Sequence, residues 1–278
     1  MSSGSTSESG GLSHYPQVER LLSIMARLRD PENGCPWDKQ QSFETIVPFT
    51  IEEAYEVADA IEHGSMQDIQ DELGDLLFQV VFYAQLGKEQ QAFDFEGIAQ
   101  TICDKLIRRH PHVFAEQKQT SVEQVSLTWD AIKQQERVQK GIHPQASILD
   151  NIPIGMSPLM RAQKIQKECA KVGFDWPDVA PVVDKVEEEI AEVMEEVKQD
   201  PQDHQRIEEE MGDLLFAVVN LSRHLKVNPE TALRKANRKF AGRFAKVEQH
   251  FAAQKTELSD ATLSQMEAIW QKVKHLEG

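Results

Sequence analysis

The chain has 278 residues, 40% of them hydrophobic and only 7% aromatic, which gives room for one large domain or two modest ones and reads as soluble and helical. Its formal net charge of −16 argues against duplex nucleic acid or an anionic membrane as the main partner, since both repel such a surface. No stretch approaches the roughly 18 consecutive apolar residues of a membrane span.

Residues 1–14 are rich in Ser and Gly, lack the apolar block of a secretory signal, and read as a disordered tail. From residue 15 onward apolar positions recur at helical spacing, and short alternating runs between tight turns are missing, so an all-α fold is expected. Gly34-Cys-Pro-Trp37-Asp38 reads as a loop with a structural tryptophan. An acidic helix follows, carrying Glu52, Glu53 and Glu56, and Gly64 marks its end. The next helix carries Glu72-Leu-Gly-Asp75 and an apolar stripe of Leu73, Leu76, Leu77, Val80, Val81 and Ala84. Cys35, Cys103 and Cys169 are far apart and form no CxxC, the pattern of reduced thiols in a cytoplasmic protein rather than a disulfide frame or zinc site. Between Lys140 and Asn151, Gly141-Ile-His-Pro144 interrupts the helical pattern.

Beyond that break the sequence repeats itself. Glu72-Leu-Gly-Asp75-Leu-Leu-Phe-Gln-Val-Val81 returns as Glu210-Met-Gly-Asp213-Leu-Leu-Phe-Ala-Val-Val219, with eight of ten positions identical. Trp37 pairs with Trp176, Glu53 with Glu189, Asp75 with Asp213, Lys105 with Lys239 and Trp129 with Trp270, at offsets of 139, 136, 138, 134 and 141. Five matches in one order indicate a tandem duplication. Two helical bundles of four or five helices are expected, over residues 15–143 and 151–278.

Glu189 and Glu192 are three residues apart, as are Glu210 and Asp213, and such pairs share a helix face. The connection around Pro201 is short, so the two helices are expected to run antiparallel with their carboxylates level. Glu53, Glu56, Glu72 and Asp75 repeat the arrangement around Gly64 as a secondary candidate site. All-oxygen donors without His or Cys suit Mg²⁺, or Mn²⁺, and disfavour zinc; the Glu-x-x-His of di-iron bundles is missing. A lone ExxE among 46 acidic residues is ordinarily a solvated face. The glycine beside the acidic pair in both copies, Gly74 and Gly212, tips the reading toward a metal site. Glycine inside a helix costs about 1 kcal/mol relative to alanine, so close approach by another helix or a ligand is expected there.

EExxE followed some twenty residues later by E-x-G-D-L-L-F resembles the MazG family of nucleoside triphosphate pyrophosphohydrolases, and the resemblance spans residues 18 to 276. It extends to Arg27-Leu-Arg-Asp-Pro-Glu-Asn-Gly-Cys-Pro-Trp-Asp38. The resemblance implies two tandem all-α domains, Mg²⁺ dependence, cleavage between the α- and β-phosphates of ribo- and deoxyribonucleotides, and a homodimer. It also implies a role in removing unwanted nucleotides or adjusting nucleotide pools.

Lys185 lies four residues before Glu189 and Arg206 four before Glu210; Lys239 and Arg243 lie four apart on a later helix. Taken with the family pattern, these four are the candidates for phosphate contacts, and Trp270 for stacking on a base. Taken singly, each cation reads as a surface salt bridge and Trp270 as a packing residue. Trp176 reads as structural. The counterparts of Lys185 and Arg206 are Phe49 and Asp68, which makes the C-terminal copy the expected main catalytic site. In-line attack by a metal-activated water at the α-phosphorus would use Glu189, Glu192, Glu210 and Asp213, with Glu188 or Glu209 orienting or deprotonating the water. No Walker A loop, nucleophile elbow or dinucleotide fingerprint is present. The rival readings are a helical scaffold without activity and hydrolysis of another nucleotide, such as dUTP or a phosphoribosyl-nucleotide.

Overall fold

The computed structural model describes residues 15–115, 121, 124–125, 128–129, 131–132, 135–136, 147–150 and 152–277. The expected tail at 1–14 and most of the expected joint at 140–151 lie outside them. The chain divides into two compact units, 1–141 and 142–278. Among the described residues there is no strand, and no helix is long and apolar enough to cross a membrane.

In the first unit the helices are α1 (Pro16–Leu28), α2 (Pro36–Gln40), α3 (Phe43–His63), α4 (Met66–Glu89), α5 (Phe95–Arg109) and the short α6 (Pro111–Phe114). Helices α3 and α4 form a tight antiparallel pair, with α1 and α5 packed on α4. Only Gly64 and Ser65 separate them. A Cβ at Gly64 would stand 2.8 Å from the Ala60 carbonyl and 2.9 Å from the Asp68 Cβ, so the turn requires glycine. Ser65 and Asp68 then start α4 with a reciprocal capping box, which satisfies two otherwise orphaned donors. Met25, Ile46, Val81, Phe82 and Leu86 make the core. Phe82 has no exposed surface; Phe78 meets it edge-on, and the Arg29 guanidinium lies 5.3 Å from its ring centre.

The second unit contains α7 (Pro158–Lys171), α8 (Ala180–Val197), α9 (His204–His224), α10 (Pro229–Ala253), a 3₁₀ turn (Leu258–Asp260) and α11 (Leu263–Glu277). Asp203 starts α9 by accepting from the backbone of Gln205 and Arg206, and Asn228 starts α10 by accepting from Thr231. Helices α8 and α9 pair antiparallel, as α3 and α4 do, with α7 against α9 and α10 against α7. The core here uses smaller side chains, among them Val182, Val193, Ala217 and Val219.

The apolar stripe read on α4 is only partly buried: Val81 and Ala84 face inward, whereas Leu73 and Leu77 are exposed. On α9 Ala217 and Val219 face inward, whereas Met211, Leu215 and Val218 are exposed, Leu215 at 53%. On α8 the outward Ile190 and Met194 extend this surface. The pairs therefore carry more apolar surface than their own unit covers.

Candidate active site

The antiparallel pairing of α8 and α9 brings carboxylates from both helices level. One carboxylate oxygen from each of Glu189, Glu210 and Asp213 lies within 4.8 Å of the other two. Glu189 is 95% buried, and its Oε2 has no partner. Its Oε1 is 2.8 Å from Lys185 Nζ, which also reaches Glu188 Oε1 at 2.9 Å. These two carboxylates, Glu189 first, hold the lysine well above its ordinary pKa. Glu192 falls outside the close triple but stands near enough to Glu189 to feel it. Burial first and the Glu189 charge second push its carboxyl above the usual range.

In the α3–α4 pair the close triple is Glu53, Glu56 and Glu72. Burial, then Asp75, then Glu56 raise Glu53; burial, then Glu56, then Asp75 raise Glu72. Gln79 Nε2 donates to Glu53 Oε1 at 3.3 Å, and Glu53 Oε2 is buried without a partner. The two clusters are thus related but not superposable: the member outside the triple is Glu192 in one and Asp75 in the other.

The cations expected beside the C-terminal cluster take different places. Lys185 touches it directly. Arg206 instead spans from α9 to Glu196 on α8, at 2.8 Å and toward the connection, and Gln205 holds Glu209 at 3.2 Å. Lys239, Arg243 and Trp270 lie on α10 and α11, where the Trp270 ring sits 4.8 Å from that of Phe240. Phe240 in turn stacks on Phe244. In the N-terminal copy Asp68 is a helix cap and Phe49 meets Trp37 edge-on, so both replacements serve local structure. The close helix approach expected at Gly74 and Gly212 does not occur: a Cβ at either would meet nothing within 4 Å.

A cavity of about 470 Å³ opens beside the C-terminal cluster, between α7, α8 and α9, bordered by Lys185, Glu189 and Asp213. Its lining also includes Gln166, Trp176, Asn220 and Arg223, and none of Arg206, Lys239, Arg243 or Trp270 lines it. Trp176, read from sequence as structural, stands at this cavity. The Asp175 carboxylate beside it grips the Arg223 guanidinium through two bonds, one of 2.8 Å from Nη1, and meets His224 Nε2 at 3.0 Å. Arg223 foremost holds Asp175 below the usual carboxylate range.

The sequence profile of the MazG nucleotide pyrophosphohydrolase domain matches the chain twice, at residues 41–114 and 180–248, spanning both helix pairs. The chain belongs to the MazG family. It is 57% identical over 261 residues to the nucleoside triphosphate pyrophosphohydrolase of Escherichia coli K12, covering 94% of this chain and 98% of that protein. The nucleoside triphosphate pyrophosphohydrolase/pyrophosphatase MazG of Thermotoga maritima is 43% identical, over 92% of this chain and 95% of that one. A crystal structure of a MazG-related protein from the same organism matches 42% of this chain and 98% of its own length, at 31% identity and a TM-score of 0.36. The chain is accordingly an enzyme, a nucleotide pyrophosphohydrolase with a MazG domain in each half, and the acidic groups of the paired helices suit the metal dependence of the family.

Proposed function

We propose that this MazG enzyme hydrolyses nucleoside triphosphates to monophosphate and pyrophosphate at the C-terminal cluster, so removing unwanted nucleotides or adjusting nucleotide pools. The observation that carries the reading is the meeting of Glu189, Glu210 and Asp213, two of which, Glu189 and Asp213, line a ligand-sized cavity. Ligand pockets run to roughly 300–1,000 Å³. The residues also fit a divalent hard cation: a buried carboxylate oxygen without a partner and a raised neighbouring carboxyl are what an all-oxygen site shows when its own charges face one another. Glu189, Glu192, Glu210 and Asp213 would hold Mg²⁺, with Mn²⁺ as a substitute.

A cation held there would supply Lewis-acid stabilisation of phosphate charge and a more acidic water. The chain's own groups do the rest. Lys185, already between two carboxylates, exchanges one of them for a phosphate oxygen and keeps its charge throughout the working pH range. Arg206 reaches a phosphate by exchanging Glu196 for it. Glu188 or Glu209 accepts the water proton as the water oxygen bonds to the α-phosphorus and the bond to the bridging oxygen breaks. Pyrophosphate leaves with that oxygen.

Lys239, Arg243 and Trp270 sit on α10 and α11, outside the cavity wall, and serve as nucleotide contacts supplied in an assembled protein. The exposed apolar face of Ile190, Met194, Met211, Leu215 and Val218 supports a homodimer. The free thiols Cys35, Cys103 and Cys169 agree with a reducing cytoplasm. The product mixture from ATP and Mg²⁺ tests the activity: monophosphate with pyrophosphate is expected, and diphosphate with phosphate would overturn it. No turnover would favour a scaffold.

A further inference from the structure

In a chain of net charge −16, the stretch 105–112 carries Lys105, Arg108, Arg109, His110 and His112 and no acid. Two of these cations share one carboxylate. Arg108 donates to Glu136 Oε1 from Nε at 2.8 Å and from Nη2 at 2.6 Å, and Arg109 donates to Oε2 from Nη2 at 2.6 Å. One carboxylate balances only one of the two guanidinium charges, so the cluster keeps a net positive charge. The Glu136 side chain is 13% exposed, whereas that of Arg108 is 50% open to solvent. The repeat does not account for this arrangement. At the offset of 134 that aligns Lys105 with Lys239, Arg108 falls on Gly242 and His110 on Phe244. The second arginine is therefore peculiar to the first copy, and its partner Glu136 belongs to neither carboxylate cluster.

Two further groups beside this pair are unsatisfied. The described residues between 124 and 136 are helical and include both Trp129 and Glu136. The Trp129 indole meets His110 edge-on with ring centres 5.2 Å apart, and the rings of His110 and His112 lie 5.6 Å apart. Trp129 Nε1 and His112 Nδ1 are both buried and have no partner among the described residues. An indole N–H can only donate, and buried donors are ordinarily paired. A purely structural ion pair explains Glu136 and the two arginines but leaves these nitrogens without a purpose. Two guanidinium forks, an indole N–H and an imidazole nitrogen together suit a tetrahedral oxyanion, which has more oxygens and more charge than a carboxylate.

We infer that the end of α5 is a binding site for a phosphate-bearing anion, held by Arg108 and Arg109, with Glu136 as the resident competitor. The anion enters on the open side of Arg108 and takes the place of the carboxylate, and Trp129 and His112 bind the oxygens that a carboxylate lacks. Ion pairs this open to solvent are weak, so the exchange is easily made. The site uses no metal. It stands apart from the proposed hydrolysis and does not depend on which half performs it.

Calorimetry of the full chain with inorganic pyrophosphate, in EDTA at constant ionic strength, tests the inference. The chelator removes the cation through which phosphates would reach the carboxylate clusters. Arg108→Gln and Arg109→Gln should each weaken binding about tenfold or more, the scale of a lost charge-assisted contact. Arg243→Gln, at the counterpart of Arg109, should leave it unchanged. Glu136→Gln removes the competitor and should tighten binding about threefold or more. The Trp129 indole resonance in ¹⁵N-labelled protein, assigned with Trp129→Phe, should shift during the titration. Inorganic phosphate and AMP as further probes separate an inorganic ligand from a nucleotide: AMP bound as tightly as pyrophosphate assigns the site to nucleotides, and weaker AMP binding assigns it to inorganic anions. Circular dichroism melts identify folded variants, and Glu136→Gln and the indole resonance decide the matter if an arginine variant is unfolded. Absence of metal-free pyrophosphate binding overturns the inference. So does equal loss in Arg243→Gln, weaker binding in folded Glu136→Gln, or an indole resonance that does not move.

Discussion

Neutralising one carboxylate in each half separates the two clusters. Asp213 belongs to the close triple and borders the cavity, whereas Asp75 lies outside its own triple. Asp213→Asn keeps the side-chain shape, removes one of the three converging charges, and leaves Glu189 and Glu210 in place. Losing one preorganised electrostatic group at a reacting centre typically costs about 10²–10³ in rate, or about 3–4 kcal/mol of barrier. Asp213→Asn should therefore reduce pyrophosphate release at least about 10²-fold, near the scale of that effect. Asp75→Asn should change it by less than about twofold, since surface substitutions away from a site act weakly. The assay is steady-state pyrophosphate release at equal protein and Mg²⁺, with thermal melts to show that both variants fold. Equal losses would refute the argument by showing that both clusters work or are coupled. A loss confined to Asp75→Asn would reverse the assignment of the catalytic half.

Turnover should vanish in protein stripped by a chelator and return with Mg²⁺ or Mn²⁺; full activity in the stripped protein would rule out the carboxylate site as a metal centre. Phe82→Ala should destabilise the first unit by about 3–5 kcal/mol, because a fully buried aromatic ring is removed from a close-packed core. Denaturant unfolding of that variant measures it, and a loss below about 1 kcal/mol would mean the core is not packed as described. Arg109 and Arg108 hold the Glu136 carboxyl down to about 2, with distances of 2.6 Å to each arginine. A depressed carboxylate stabilises the fold above its unfolded pKa of about 4.5 and loses that contribution as pH falls toward 2. Melting temperatures of wild type and Glu136→Gln should thus converge between pH 4.5 and 2, and a gap that stays constant across that range would count against the pairing.

The helix pairs and their carboxylates were legible in the sequence because both follow local rules. Helical periodicity and the break at Gly64 act within one or two turns, and ExxE spacing fixes a shared face. Which carboxylates close into a triple was not legible, since Glu192 and Asp75 differ only in how each pair packs. The apolar stripe misled in part: periodicity shows that Leu215 and Val218 share a face with each other, but not whether the chain itself covers that face. Glycine at 74 and 212 pointed to a close helix or a ligand, and no helix approaches either position. Arg206 shares a face with Glu210 by spacing, but its long side chain finds Glu196 on the other helix instead. The cavity was the largest omission. Gln166, Trp176 and Asn220 come from three separate elements, which no local spacing brings together.

The central claim is that the cluster of Glu189, Glu210 and Asp213 directs water to the α-phosphorus of a nucleoside triphosphate. Hydrolysis of ATP in ¹⁸O-labelled water, followed by mass spectrometry of both products, tests it most directly. The account predicts one ¹⁸O atom in the monophosphate and none in the pyrophosphate. Label in the pyrophosphate, or products other than these two, would contradict it.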